Sequence, residues 1–384
     1  MMLRRTFLAA SALGVGALGS VRASPLAGAR ARQPYTGSTI VIGQSAVQSG
    51  PSALLGTEMT DGMRAAFEAA NKSGGVGGRK IELVTLDDQY EPGPCKENTD
   101  KLIAQGVFAL GGYIGTATCL AAYPAIIEAG IPLVGTLTGA DSALKFAPNI
   151  FHTRPSYSQE CQLLVKQLLA YGDGVRVAIF AQDDGYGEAV TQGVTQALAA
   201  RGQKPVAVGK VKRNSLDVAE AARVIKASGA NAVAMGALYG PCAKLVEELG
   251  VQGRAMMYCS VSPIITTGLT RNLGAKAHGI GIIQVAPYPW SDVNPLPLVA
   301  EFDKAMALTK AEVSYGALEG YINAQLILRG IAQCGDTLTW QRFADALERR
   351  FDLGGFTLDF SSASHNGSNF LAVTVIDSKG RVQA

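Results

Sequence analysis

Two successive runs of short β-rich segments alternating with helical patterns of roughly 10–15 residues constrain this chain more than any other feature. The first run opens with Thr39-Ile40-Val41-Ile42-Gly43. A helical pattern follows, with Met59, Met63, Ala66, Phe67 and Ala70 on one face, and stops at Ser73-Gly74-Gly75. Then come a strand over 81–86, a helix closing over 100–105, a buried strand over 107–111, a helix over 117–129 and a strand over 131–134. The second run repeats the order. Its strands are 175–180, 206–211, 231–235 and 255–258, and its helices are 188–200, 217–228 and 241–249. A βαβαβαβ order repeated twice predicts two doubly wound parallel sheets, an α/β chain of two lobes. After Gln284 the pattern breaks. Pro287, Pro289, Pro295 and Pro297 surround Trp290, the composition of an extended, semi-rigid crossing between lobes. Helices over 298–309, 316–333 and 339–350 follow, then a tail of short strands with turns at Asn366-Gly367 and Lys379-Gly380.

The chain is long enough for such a pair. It has 384 residues, of which 48% are hydrophobic and 17% charged, so a large core can be buried. The formal charge of +3 belongs to the leader: without Arg4, Arg5, Arg22 and Arg30 it becomes −1. A near-neutral body does not suit nucleic-acid binding. Residues 1–31 read as an export signal. Arg4-Arg5-Thr6-Phe7-Leu8 resembles a twin-arginine signal, and an uncharged stretch with Gly14, Gly16 and Gly19 follows. Ala29-Arg30-Ala31 and Val21-Arg22-Ala23 are alternative cleavage sites, and general secretory export is the alternative route. No lipobox cysteine occurs there, so the expected product is a soluble periplasmic protein. Six cysteines in an oxidising compartment permit disulfides, yet no CxxC spacing occurs and the chain has only three histidines. No metal site or cofactor is expected.

In open α/β sheets ligands bind beyond the carboxyl ends of the strands. The candidate loops are therefore 45–55, 113–118 and 136–142 in the first half, and 182–186, 237–241 and 260–263 in the second. Tyr113-Ile114-Gly115-Thr116-Ala117-Thr118 joins a strand to a helix start, where free N–H groups meet the hydroxyls of Thr116 and Thr118. Thr116 is either a ligand-binding hydroxyl or a helix cap. Leu137-Thr138-Gly139 ends the neighbouring strand with the same logic. Tyr113, Tyr186 and Tyr239 are expected in strand-end loops, where aromatic rings suit an apolar or aromatic ligand with a polar head. Asp87-Asp88 and Asp183-Asp184 read as turn and capping residues, with a metal or acid/base pair as the other possibility. The glycines over 74–78 follow a helix and precede a strand, the wrong context for a dinucleotide loop. No nucleophile, base or metal constellation marks an enzyme.

Ile42-Gly43, Ser49-Gly50-Pro51, Gly56, Gly62, Asn71, the run from Gly74 to Leu83 and Asp87-Asp88 together resemble the opening of the branched-chain amino-acid-type periplasmic binding proteins. Ala129-Gly130-Ile131-Pro132-Leu133, Phe151-His152-Thr153-Arg154-Pro155 and Asp183-Asp184-Gly185-Tyr186-Gly187-Glu188 are similar to later parts of that family. The resemblance implies a type I solute-binding protein: two Rossmann-like lobes joined by three crossings, lobe 1 over 37–155 plus 288–352 and lobe 2 over 156–287 plus 353–384. It implies capture of a small carboxylate, amide or amino-acid-like solute for an ABC permease, by a protein expected to be monomeric. A ligand-sensing periplasmic receptor component is the alternative, and an exported enzyme on the same fold the third. The implied site comprises Ser49, Leu55, Tyr113, Gly115, Thr116, Thr118, Leu137, Thr138, Gly139, Tyr186, Leu238, Tyr239 and Ser260. The family's acid after the last strand of lobe 2, which pairs with a ligand ammonium, is replaced by Cys259-Ser260-Val261-Ser262. That puts the branched-chain amino acids themselves in doubt and favours an acid, an amide or a urea-like solute. The family's disulfide implies a bridge between Cys95 and Cys119. A second bridge, Cys242–Cys259, is expected only because a helix start lies beside a strand end.

Overall fold

The computed structural model describes residues 33–250 and 256–383. The expected export signal lies outside the described residues. No helix among them is long and apolar enough to cross a membrane.

The first sheet has the order β2-β1-β3-β4-β5 and is parallel throughout. Its strands are β1 (Thr39–Ser45), β2 (Lys80–Leu86), β3 (Ala109–Ile114), β4 (Leu133–Leu137) and β5 (Ile150–Phe151). Helices α1 (Ala53–Lys72), α2 (Pro92–Ala104) and α3 (Thr116–Ala129) connect them. The second sheet has the order β14-β13-β10-β9-β8-β6-β7. Its parallel part is β6 (Val177–Gln182), β7 (Ala207–Val211), β8 (Ala232–Gly236), β9 (Met257–Ser260) and β10 (Gly281–Gln284), connected through α5 (Gly185–Ala199), α6 (Ala219–Ala227), α7 (Tyr239–Leu249) and α8 (Thr266–Leu273). Helix α4 (Tyr157–Leu169) leads into it. The tail adds β13 (Ala372–Ile376) and β14 (Val382–Gln383) as an antiparallel edge. Buried on both faces, the inner parallel strands read as apolar runs, β3 being buried at every position, whereas the edge strands β2 and β7 are partly exposed.

The chain passes between the sheets three times: after β5, after β10, and before β13. Between the last two passages, α9 (Pro297–Thr309), α10 (Tyr315–Gln333) and α11 (Trp340–Leu347) return to the first sheet, followed by the hairpin β11 (Arg350–Asp352) and β12 (Thr357–Asp359). Helix α10 lies directly on α1. A Cβ on Gly62 would fall 1.8 Å from the Ala317 carbonyl oxygen, and one on Gly320 would fall 2.1 Å from that of Met59. The two backbones are in contact, and only glycine admits that approach.

Several helix starts differ from the sequence expectation, and the differences have local causes. Helix α5 begins at Gly185 rather than 188 because Asp184 caps it, accepting from the Tyr186 and Gly187 amides at 2.9 and 3.4 Å. Tyr186 therefore sits in a first helical turn and not in a loop, and Tyr239 is the first residue of α7. Tyr113 lies inside β3, which runs on to Ile114.

Neither expected disulfide is present: all six described cysteines are free and buried. Cys95 and Cys119 share one core cluster. Burial raises both thiols well above their ordinary range, with Asp88 adding to the effect at each. Cys242 and Cys259 lie on opposite faces of the second sheet. Cys242 packs with Tyr258 in the outer cluster, whereas Cys259, one residue along the strand, turns to the inner one.

Candidate functional site

Each sheet changes winding direction once, between β1 and β3 in the first and between β6 and β8 in the second. Crevices at such switch points, outside the strand carboxyl ends, are where doubly wound sheets take ligands. Here the two crevices face one another. One inner cluster of buried side chains runs through the seam, from Leu55, Leu137 and Tyr157 to Tyr186, Leu238, Val261 and Ile265.

The head of the seam is built on α3. Its N-cap is Gly115, with φ 92 and no capping side chain, so the first-turn N–H groups stay free of any cap. The Tyr90 ring lies against Gly115: a Cβ there would sit 2.6 Å from it. Thr116 and Thr138 are both buried, and their hydroxyls meet at 2.7 Å. That bond uses one of two hydroxyl protons and leaves the other to give. The Tyr157 side chain lies close to Thr138, and the Gly139 carbonyl accepts from the Tyr157 amide at 2.6 Å. From the second sheet, Gly185 faces the Thr116 methyl, and the Tyr186 ring packs on Tyr157 at 5.4 Å. The Tyr186 hydroxyl is buried without a hydrogen-bond partner. Thr116, Thr138, Gly139 and Tyr186 are thus brought together, with Leu55 and Leu137 in the apolar wall.

Other residues named from sequence are engaged elsewhere. Tyr113 is fully buried in the core, its hydroxyl 3.1 Å from Thr99. Thr118 donates to the Gly115 and Ile114 carbonyls, the back-bond of a helix first turn. Ser260 donates to the carbonyls of Met235 and Val261. Ser49 is exposed and donates to Asp87. Leu238 is the buried N-cap of α7. Tyr239, half-buried, donates across the seam to the Pro51 carbonyl at 2.7 Å.

More contacts close the seam. Ser52 bonds Asn214 at 2.8 Å, and Asn214 bonds Glu91 at 2.8 Å. Arg213 joins Glu91 at 3.1 Å and Asp184 at 2.9 Å. Asp184 is therefore a cap and an ion-pair partner. Glu58 of α1 accepts from Thr267 of α8. Burial raises the Glu58 carboxyl to about 7, against hydrogen bonds from Thr267 and Ser314; Glu312 adds to the rise and Arg271 opposes it.

A pH effect follows from Glu58. Between its ordinary value of 4.5 and about 7, the folded chain keeps a proton that the unfolded chain has lost. This contribution to stability therefore falls as pH rises through that window. Glu58→Gln removes it. Melting curves of the variant and the wild type should nearly coincide near pH 5 and separate towards pH 8, the variant becoming more stable by up to about 3 kcal/mol. An offset that stays constant with pH would overturn this account.

At the hinge end sits a cluster that sequence reasoning missed. Arg154, in the first crossing, is 1% exposed. It pairs with Glu160 of α4 at 3.4 Å and with Glu319 of α10 at 3.6 Å, and donates to Ser262. Glu160 also accepts from the Ser262 amide at 2.7 Å. Burial pushes Glu160 up to about 7 and raises Glu319, with Arg154 opposing both. One signal was available: Glu319 is the sole charged residue between Tyr315 and Leu328, in a largely apolar stretch of helix.

A family model described as "Periplasmic binding protein" matches residues 39–381. The Leu/Ile/Val-binding protein homolog 3 of Brucella melitensis is 22% identical over 299 residues, 78% of this chain and 80% of its own. A possible leucine/isoleucine/valine-binding protein from Rhodopirellula baltica superposes with a TM-score of 0.83 at 29% identity, covering 94% of this chain and 98% of that one. A substrate-binding periplasmic protein from Ralstonia solanacearum gives 0.84 at 29% identity, with 89% and 99% covered.

Proposed function

From its membership of the periplasmic binding protein family, to which this chain belongs, we propose that it captures a small amino-acid-like solute, with a carboxylate or amide head, for an ABC permease. The protein binds; it is not an enzyme. The observation that carries the reading of the head is the start of α3: an uncapped first turn on Gly115 beneath the paired hydroxyls of Thr116 and Thr138. Free N–H groups and a spare hydroxyl proton suit a carboxylate or amide oxygen. Tyr186 covers that point from the second lobe, and Tyr239 ties the lobes across the mouth. Closure removes the head from water, which strengthens each of these bonds, and presents the permease with a state distinct from the open one. The names of relatives point to amino acids.

A thermal-shift screen of the mature protein against amino acids, short carboxylates and amides identifies the solute. A solute at a hundred times its Kd stabilises by about 2.7 kcal/mol. Calorimetry with that solute then tests the head. Thr116→Ala should weaken binding by about 1.5–3 kcal/mol, roughly tenfold to more than a hundredfold in Kd. Asp184→Asn should change affinity far less. The opposite ranking would put the head group in the second lobe.

A further inference from the structure

The hinge cluster around Arg154 contains charged atoms that the folded chain leaves unmatched. Arg154 uses Nη2 on Glu160 and Ser262, and its guanidinium carbon lies 5.8 Å from the centre of the Tyr157 ring. Its Nε and Nη1, although buried, have no hydrogen-bond partner. The same holds for Oε1 of Glu319. Nε and Oε1 stand 3.6 Å apart, close enough for attraction between charges but too far for a hydrogen bond. Both residues line one cavity of about 20 Å³, with Leu137, Ser262, Thr266 and Gln284 on its walls. That is room for about one water, the size of a single oxygen or nitrogen of a polar group whose remainder would lie in the cleft. Leu137 lines this cavity and also belongs to the apolar wall at the head of the seam, so the two lie side by side.

The requirement is mixed: two donors lack an acceptor, and one acceptor lacks a donor. A further carboxylate would satisfy Arg154 but would face two glutamates. An ammonium would satisfy Glu319 but leave the guanidinium unmatched. A group carrying a donor and an acceptor side by side answers both without adding charge to a buried site.

We propose that Arg154 and Glu319 form a second polar subsite at the hinge end of the cleft, which takes a carboxamide group of the solute. The carbonyl oxygen accepts from Arg154, and the amide nitrogen donates to Glu319. The inference rests on the cleft being the solute site, and it adds that the solute is polar at both ends.

The test uses fragments, so it does not depend on first knowing the solute. Acetamide, acetate and methylammonium are titrated against the full mature chain, with thermal shift and ligand-observed NMR as readouts. Acetamide should bind at least about tenfold more tightly than either ion. Glu319→Gln keeps the shape of the side chain and replaces an acceptor with a donor. It should invert the order, acetate now exceeding acetamide. A purely structural role for Glu319 would not reverse a preference. In Arg154→Met/Glu319→Gln, where neither partner is charged, the preference should vanish. Three outcomes overturn the proposal: equal binding of all three probes by the wild type, which would mean that the cavity holds only water; an order unchanged by Glu319→Gln; or a wild type that prefers an ion. If the fragments fail while a screened solute still binds in a Thr116-dependent way, the subsite falls and the cleft reading stands. If Thr116→Ala also has no effect, the cleft reading falls with it.

Discussion

Replacing Gly62 with leucine should leave the first lobe unable to reach its native packing. The Ala317 carbonyl oxygen lies 1.8 Å from where the new Cβ would be, and the Tyr321 amide nitrogen 2.9 Å. Both are backbone atoms, so no rotamer change relieves the clash. Helix α10 has to withdraw from α1, and its withdrawal opens the cluster that contains Met63, Phe67, Leu318 and Ile322. Overpacking a well-filled core costs about 1–3 kcal/mol even when side chains can shift. With backbone on the other side, the expected loss exceeds about 4 kcal/mol, the range reserved for gross disruption. Urea denaturation checks it. A midpoint within a few tenths molar of the wild type would show that the two helices can part at little cost.

Removing Arg154 should produce the second large effect. Arg154→Met leaves Glu160 and Glu319 buried at the hinge with no cation between them. Breaking a buried pair by deleting one partner costs about 3–5 kcal/mol, because the remaining charge stays desolvated. The loss should depend on pH. Both glutamates already have raised carboxyls, Glu160 near 7, so in acid they take up protons and the isolated charge disappears. The stability gap between wild type and variant should therefore be narrow near pH 5 and widen towards pH 8. Adding Glu319→Gln to Arg154→Met should restore part of the lost stability, and a double-mutant cycle measures the coupling. A gap independent of pH, with no restoration, would mean that Arg154 acts by bulk alone.

How much of this was legible in the sequence depends on distance along the chain. Strand and helix order follow from apolar period and glycine stops, which are local, and so both sheets were expected. Helix α5 was expected three residues late because the capping of Tyr186 and Gly187 by Asp184 is not visible in an apolar period. Tyr113 was expected in a loop because Gly111 and Gly112 look like a strand end; the strand instead continues through them to Ile114. Thr116 and Thr138 could be picked out because each follows its own strand. Their meeting at 2.7 Å was not readable, since it depends on the parallel register of β3 and β4. The pairing of Arg154 with Glu319 joins segments far apart in the chain, which no local window can relate. The Cys242–Cys259 expectation failed for a related reason: position along the chain said nothing of which face of the second sheet each thiol would occupy.

The contact of α1 with α10 also bears on how the molecule is assembled. The parallel pairings of the second sheet all form within residues 177–284, one uninterrupted stretch, and only the antiparallel edge β13–β14 is added later. Helix α1, made early, finds its partners α9 and α10 only after that stretch. Contacts between distant segments form slowly, since loop closure has to precede them. A nascent chain therefore carries the part of α1 that α9 and α10 cover exposed while the parallel part of the second sheet is being made, a period in which it is open to aggregation. Both tryptophans, Trp290 and Trp340, lie in the late segments. Their fluorescence on refolding reports the joining of those segments to the rest, and so follows the slow step directly.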